Sequence, residues 1–330
     1  MLVKTFGKLK KMDSFTNIMD EKDRLILFEL LQDCRQPLSK IAKSVKLPQQ
    51  TTSYRIKKLE DEKVIKKYTI NINYPKLGYS RHSLYLDLKY VSAEEVEKYL
   101  RHVTDIYEVS CCYMLHEVSE WKMYISVWTK TIERYDEIQT KIISKFRKHI
   151  NNYISFQSVR SYTYFGRIFN TKKKAQCDIK GTPENFELKE IDWKIIDRLR
   201  KDSRTPIMKL AKELKTTANT IVRRLKFLRD NDIIERFYPI IDIRKAGYKE
   251  YTYISRIDPS YNKQIEQFIE YAKSDPRFGI FIKAVGYVNL YYAFYVKNDE
   301  ELKDIISKVH KIIGKATLKT YKIEVEDMIS

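Results

Sequence analysis

Residues 23–79 and 192–248 align with each other without a gap, and about a third of the aligned positions are identical. Asp23 matches Asp192, Ile26 matches Ile195, Asp33 matches Asp202 and Arg35 matches Arg204. Pro37, Ala42, Arg55, Leu59 and Ile65 match Pro206, Ala211, Arg224, Leu228 and Ile234, and the closing pair Gly78-Tyr79 matches Gly247-Tyr248. A gapless match of this length marks a duplicated unit, so a fold assigned to one copy has to suit both. At 330 residues the chain is also too long for one ordinary core.

The first half of each unit reads as helices. Leu25, Ile26, Leu30 and Leu31 are spaced for one buried face, with Asp20 as N-cap. The helix is expected to break at Arg35-Gln36-Pro37, because proline disfavours helix in the residue before it. A short helix, Leu38 to Val45, follows, with Ile41, Ala42 and Val45 inward. The turn Lys46-Leu47-Pro48 leads into a third helix, Gln49 to about Asp61, with Pro48 at its first position. There Thr52, Ile56 and Leu59 share one face. Val64 to Ile70 then alternates like a strand. The later copy repeats this with Ile195, Ile196 and Leu199, then Leu210, Ala211 and Leu214, then Ile221, Leu225 and Leu228, and a strand from Ile233 to Ile241. Three short helices and a strand describe a winged helix-turn-helix.

The second half of each unit reads strand, helix, strand, strand, helix, strand: 81–91, 92–104, 107–117, 121–130, 132–149 and 153–165, and again 250–258, 261–273, 278–285, 289–297, 299–313 and 316–326. That is the ferredoxin-like βαββαβ order. The expected fold is α+β, a tandem duplication of winged helix-turn-helix plus ferredoxin-like domain. Its parts are a basic tail (1–19), helix-turn-helix 1 (20–80), ferredoxin-like domain 1 (81–165), a polar linker (166–187), helix-turn-helix 2 (188–249) and ferredoxin-like domain 2 (250–330).

The net charge of +19 is unevenly spread. Residues 1–80 carry +8 and 188–250 carry +7, against +1 for each of 81–165 and 251–330 and +2 for the linker. Charge added for solubility alone would be dispersed. Here it falls where a DNA-binding element is independently expected, which points to double-stranded DNA as partner. No stretch of about 18 apolar residues occurs, so no spanning helix is expected. The four cysteines lack zinc-ligand or CxxC spacing, and a reducing, cytoplasmic location fits. There is no Gly-rich phosphate loop, GxSxG or HExxH, and the five histidines are scattered. No cofactor, no metal and no catalytic residue is assigned.

With Thr52, Ile56 and Leu59 inward, Gln49, Gln50, Thr51, Ser53, Tyr54 and Lys57 fall on or beside the open side of the third helix. Gln can read adenine edges, and Ser or Thr can contact base or phosphate. Arg55, Lys58, Lys66 and Lys67 are expected to hold phosphates. In the second copy Ala218, Asn219, Thr220, Val222, Arg223 and Lys226 correspond, with Arg224, Arg229 and Arg236 nearby. The alternative for Arg55 and Arg224 is pairing with Asp33 and Asp202 inside the fold. The two faces differ, so identical half-sites are not expected.

These residues carry a resemblance. DEKDRLILFELLQDCRQPLSKIAKSVKLPQQTTSYRIKKLEDEKVIKKYTININYPKLGY and IDWKIIDRLRKDSRTPIMKLAKELKTTANTIVRRLKFLRDNDIIERFYPIIDIRKAGY each resemble the helix-turn-helix of the Lrp/AsnC (feast/famine) transcription regulators. The shared features are the Asp before Ile-Leu, the Asp-x-Arg ending the first helix, the Leu-Ala-Lys core of the second, the Arg-[Ile/Leu]-x-x-Leu of the third and the closing Gly. The resemblance implies a sequence-specific DNA-binding regulator, not an enzyme, whose ferredoxin-like modules bind a ligand and make a homo-oligomer. Ordinary members carry one unit and dimerise, so this chain resembles a covalent pseudo-dimer. The family's effector turn uses a glycine and an acid between the second and third strands of the module. The candidate residues are His116 and Glu117 in the first copy, which lacks the glycine, and Gly286 and Asn289 in the second, which lacks the acid. That departure argues against a free amino acid and leaves another small effector open. Two further readings are a siroheme-decarboxylase-like enzyme, similar in fold, and a non-specific architectural DNA-binding protein.

Overall fold

The structure, a computed structural model, describes residues 19–324 except 90–91, 116–118, 174, 176 and 182. The first unit begins with α1 (Glu21–Gln32), α2 (Leu38–Val45) and α3 (Gln49–Asp61), then β1 (Ile65–Ile72). Asp20 caps α1 in a reciprocal capping box with Asp23. The helix stops at Gln32, earlier than the expected break, because Asp33 is already extended and its carboxylate accepts from the Arg35 amide at 2.8 Å. Pro48 is the N-cap of α3 rather than its first residue. The first module follows as β2 (Ser80–Leu88), α4 (Ala93–Thr104), β3 (Val109–Met114), β4 (Met123–Thr129), α5 (Ile132–Phe146) and β5 (Ile150–Tyr164).

A short strand, β6 (Cys177–Lys180), precedes the second unit. That unit has α6 (Glu190–Lys201), α7 (Ile207–Glu213), α8 (Ala218–Asp230), β7 (Ile234–Ile241), β8 (Lys249–Ile257), α9 (Asn262–Ser274), β9 (Phe278–Gly286), β10 (Leu290–Val296), α10 (Asp299–Ile313) and β11 (Thr317–Ile323).

The two helix-turn-helix segments share one ribbon, in which β1 pairs antiparallel with β7. The exchange is reciprocal. The amide of Cys34 donates to the Phe237 carbonyl (2.8 Å), and Ser203, its equivalent, donates to the Tyr68 carbonyl (3.1 Å). Asn73 and Asp242 likewise donate to Ile233 and Val64, at 2.9 and 2.8 Å. Repeat-related groups thus satisfy each other across a pseudo-two-fold, and one hydrophobic core runs through both segments.

The ferredoxin-like halves form a single sheet in the order β11-β8-β10-β9-β5-β2-β4-β3, with β6 beside β5. The halves join where β5 meets β9, from Phe156 opposite Gly286 to Thr163 opposite Ile280. Gly286 has φ +130°, and a Cβ there would lie 2.8 Å from the Ser155 carbonyl oxygen, so this close approach of strands requires glycine. The join is one-sided, since β3 and β11 end the sheet. Inward side chains of both halves meet in one core that includes Tyr85, Trp121, Phe156, Ile254 and Tyr321. Helices α4 and α5 cover one outer face, and α9 and α10 the other.

Residues 166–187 are more than the polar linker expected. Arg167 is buried and donates to the carbonyls of Ala272, Lys273 and Phe278 at 2.6, 2.9 and 2.7 Å. β6 adds to the sheet, and its Asp178 pairs with Arg236 of β7 at 2.5 Å, with both side chains out of water.

His82 on β2 is buried, stacked on Tyr135 with ring centroids 4.1 Å apart, and its Nε2 has no hydrogen-bond partner among the described residues. Burial lowers its pKa from 6.5 to about 4. The folded state therefore keeps it neutral while the unfolded chain takes up a proton below 6.5. Its contribution is intact above that pH and is lost as pH falls toward 4, by roughly 3 kcal/mol. His82→Phe should gain on wild type in urea midpoint between pH 7 and 4.5. A parallel fall of both proteins would assign the acid sensitivity to other groups.

Candidate nucleic-acid interface

Both third helices bury the residues that their spacing selects: Thr52, Ile56 and Leu59 in α3, and Ile221, Leu225 and Leu228 in α8. Thr52 also donates to the Pro48 carbonyl (2.9 Å), which satisfies its hydroxyl inside the turn. Gln49, Gln50, Ser53, Tyr54, Lys57 and Lys58 are exposed on α3, while Thr51 is half-buried. On α8, Asn219, Val222, Arg223, Lys226 and Arg229 are exposed, and Ala218 and Thr220 half-buried. Thr217 caps α8 by accepting from the Thr220 amide at 3.1 Å.

Arg55 and Arg224 need correcting. Arg55 lies 2.7 Å from Asp20 and 2.8 Å from Asp23. Arg224 makes a two-pronged contact with Asp192 at 2.6 and 2.5 Å. Each clasps its third helix to the start of the first helix of the same unit, and the hydrogen bonds it donates to those carboxylates raise both guanidinium pKa values. Neither pairs with Asp33 or Asp202. Asp33 instead meets Arg229 of the other unit at 3.4 Å. Arg236 is buried, which removes it from the phosphate-holding set. Since Asp192 is wholly buried, Arg224→Ala should cost ~2–3 kcal/mol in urea denaturation. Arg223→Ala, on the exposed face, should stay within ~0.5 kcal/mol.

Among the remaining cations, Lys58 lies 3.8 Å from Glu62, Lys66 3.6 Å from Asp242 and Lys226 2.8 Å from Asp230. Lys57 and Arg223 have no ion pair among the described residues, and they project from the two recognition faces.

At the candidate effector turn, His116 and Glu117 lie outside the described residues. Gly286 packs on β5, and Asn289 is committed to β8, accepting from the Ile257 amide (2.8 Å) and donating to its carbonyl (2.7 Å). A cleft of about 650 Å³ lies elsewhere, between the β1–β7 ribbon and the sheet, with Arg81 and Trp128 in its wall. No histidine among the described residues lines it.

A winged helix-turn-helix DNA-binding family model matches residues 19–66, and an AsnC-type helix-turn-helix domain matches 188–229. An HTH-type transcriptional regulator of Pyrococcus horikoshii is 31% identical over 137 residues, 40% of this chain and 85% of that protein. LrpA of the same organism is 43% identical over 63 residues, 19% of this chain and 45% of its own. Among solved structures, the siroheme decarboxylase NirDL with an iron-uroporphyrin III analogue superposes with a TM-score of 0.59 over 93% of this chain and 92% of its own, at 16% identity, a likeness of fold. With two such helix-turn-helix matches and a relative aligned along most of its length, the chain belongs to the Lrp/AsnC family of HTH-type transcriptional regulators, carrying the family's unit twice.

Proposed function

We propose that this protein is a sequence-specific DNA-binding transcription regulator that uses α3 and α8 together, as a covalent pseudo-dimer. The observation that carries this reading is the pair of exposed, basic third helices tied to one shared ribbon. A rigid pair can address two adjacent major grooves, with half-sites about one helical turn or a multiple apart. Phosphate contacts from the basic segments supply affinity, and the unlike faces of α3 and α8 select unlike half-sites. Further association of chains through the ferredoxin-like halves and a small effector belong to the same reading.

The test is duplex binding over a salt series after selection from a random pool. A steep salt slope with an enriched two-part motif is expected. Equal competition by random DNA would favour the architectural alternative, and no binding at low salt would overturn both.

The likeness to siroheme decarboxylase supports a second reading, an enzyme acting on a tetrapyrrole. The cleft lacks a histidine among its described lining residues, which weakens it. Purified protein should be colourless, and a porphyrin band in its absorption spectrum would favour the enzyme.

A further inference from the structure

The cleft beneath the ribbon has an unusual charge balance. Lys67, Arg81, Lys180 and Arg200 line it, and among the described residues no Asp or Glu does. Lys180 is matched by Glu235, 3.4 Å away. Arg81 has no such partner among the described residues. Its guanidinium donates only to neutral groups among the described residues, the Tyr124 hydroxyl at 2.7 Å and the Ser126 hydroxyl at 3.3 Å. Its repeat-related position on β8 is Glu250, yet no ion pair joins the two. Arg81 is half-buried, and a guanidinium partly withdrawn from water without a counter-charge favours entry of an anion into the cleft.

Two further features describe the anion. Ser158 on β5 also lines the cleft, and its Oγ is buried without a hydrogen-bond partner among the described residues. Tyr74 and Trp128 stack in the wall, with centroids 4.8 Å apart and planes 27° apart, giving an extended apolar surface. A volume of about 650 Å³ lies within the usual range for small organic ligands. We propose that this cleft is a binding site for a small organic carboxylate, whose charged end meets Arg81 and whose apolar body lies along Tyr74 and Trp128. An inorganic anion would leave that aromatic wall unused.

The test needs no DNA, so its outcome is separate from that of the DNA-binding reading. The full chain is titrated with benzoate, phenylpyruvate and 2-oxoglutarate by calorimetry, with inorganic phosphate alongside. Saturable one-to-one binding of at least one carboxylate is expected, weakened about tenfold or more in Arg81→Gln. Ser110→Trp alters an exposed residue of the cleft wall and should block binding while keeping the melting temperature. That variant keeps the test decisive should Arg81→Gln fail to fold. No heat with any of the three carboxylates, undiminished affinity in folded Arg81→Gln or Ser110→Trp, or phosphate binding as tightly as the carboxylates would each overturn the proposal.

Discussion

Replacing Arg236 by methionine should lower the free energy of unfolding by about 3–5 kcal/mol, because it strands a carboxylate with no access to water. The Arg236 and Asp178 side chains are 0% and 1% exposed. Arg236 reaches Asp178 at 2.5 and 3.2 Å and donates to the Leu31 carbonyl at 3.2 Å. Its charge also lies 4.8 Å from the centroid of the Phe165 ring. One side chain of β7 thereby holds β6, the end of α1 and the end of β5 together. The attraction within such a pair barely exceeds the cost of drying both ions, so the loss comes from breaking it, not from lacking it. Arg236→Met combined with Asp178→Leu should therefore recover most of the stability. Denaturant titrations of wild type, single and double variants make the comparison. A single variant within about 1 kcal/mol of wild type would show that the cluster does not hold these segments.

The second large effect concerns DNA. Lys57→Ala with Arg223→Ala removes the two recognition-face cations that have no ion pair among the described residues. Each is expected to cost about 1–3 kcal/mol, and as they sit on separate units the losses should add, weakening binding by roughly 30-fold to 10⁴-fold. Anisotropy on a selected duplex would measure it, and the salt slope should fall by about 2 if both contact phosphate. Lys98→Ala, exposed on α4 away from either third helix, should leave affinity unchanged. A folded double variant that binds like wild type would remove α3 and α8 from the interface.

The repeat offset carried much of the architecture. It maps β2 onto β8 and α3 onto α8 residue for residue, so each pattern read in one copy checked the other. The faces of α3 and α8 were legible because helical spacing alone decides which residues point inward. What escaped depends on partners distant in sequence. Nothing in Cys177-Asp178-Ile179-Lys180 marks a strand, since four residues with Ile179 exposed carry almost no alternation, and Asp178 is buried against Arg236 and Asn71, both distant in sequence. Arg55 looked like a phosphate ligand because its type and helix fit one. The capping carboxylates of α1 that claim it become neighbours only once the helices pack. The β5–β9 join and the cleft with Arg81 are likewise products of tertiary assembly.

The shared β1–β7 ribbon has a consequence for how such a regulator responds to its own abundance. Two separate subunits that must meet before reading a site lose their active form steeply as they are diluted. When both readers belong to one polypeptide, the encounter is intramolecular and survives any dilution. Occupancy of a two-part site should then follow protein concentration to the first power, so a cell could hold this regulator at few copies and still keep it assembled.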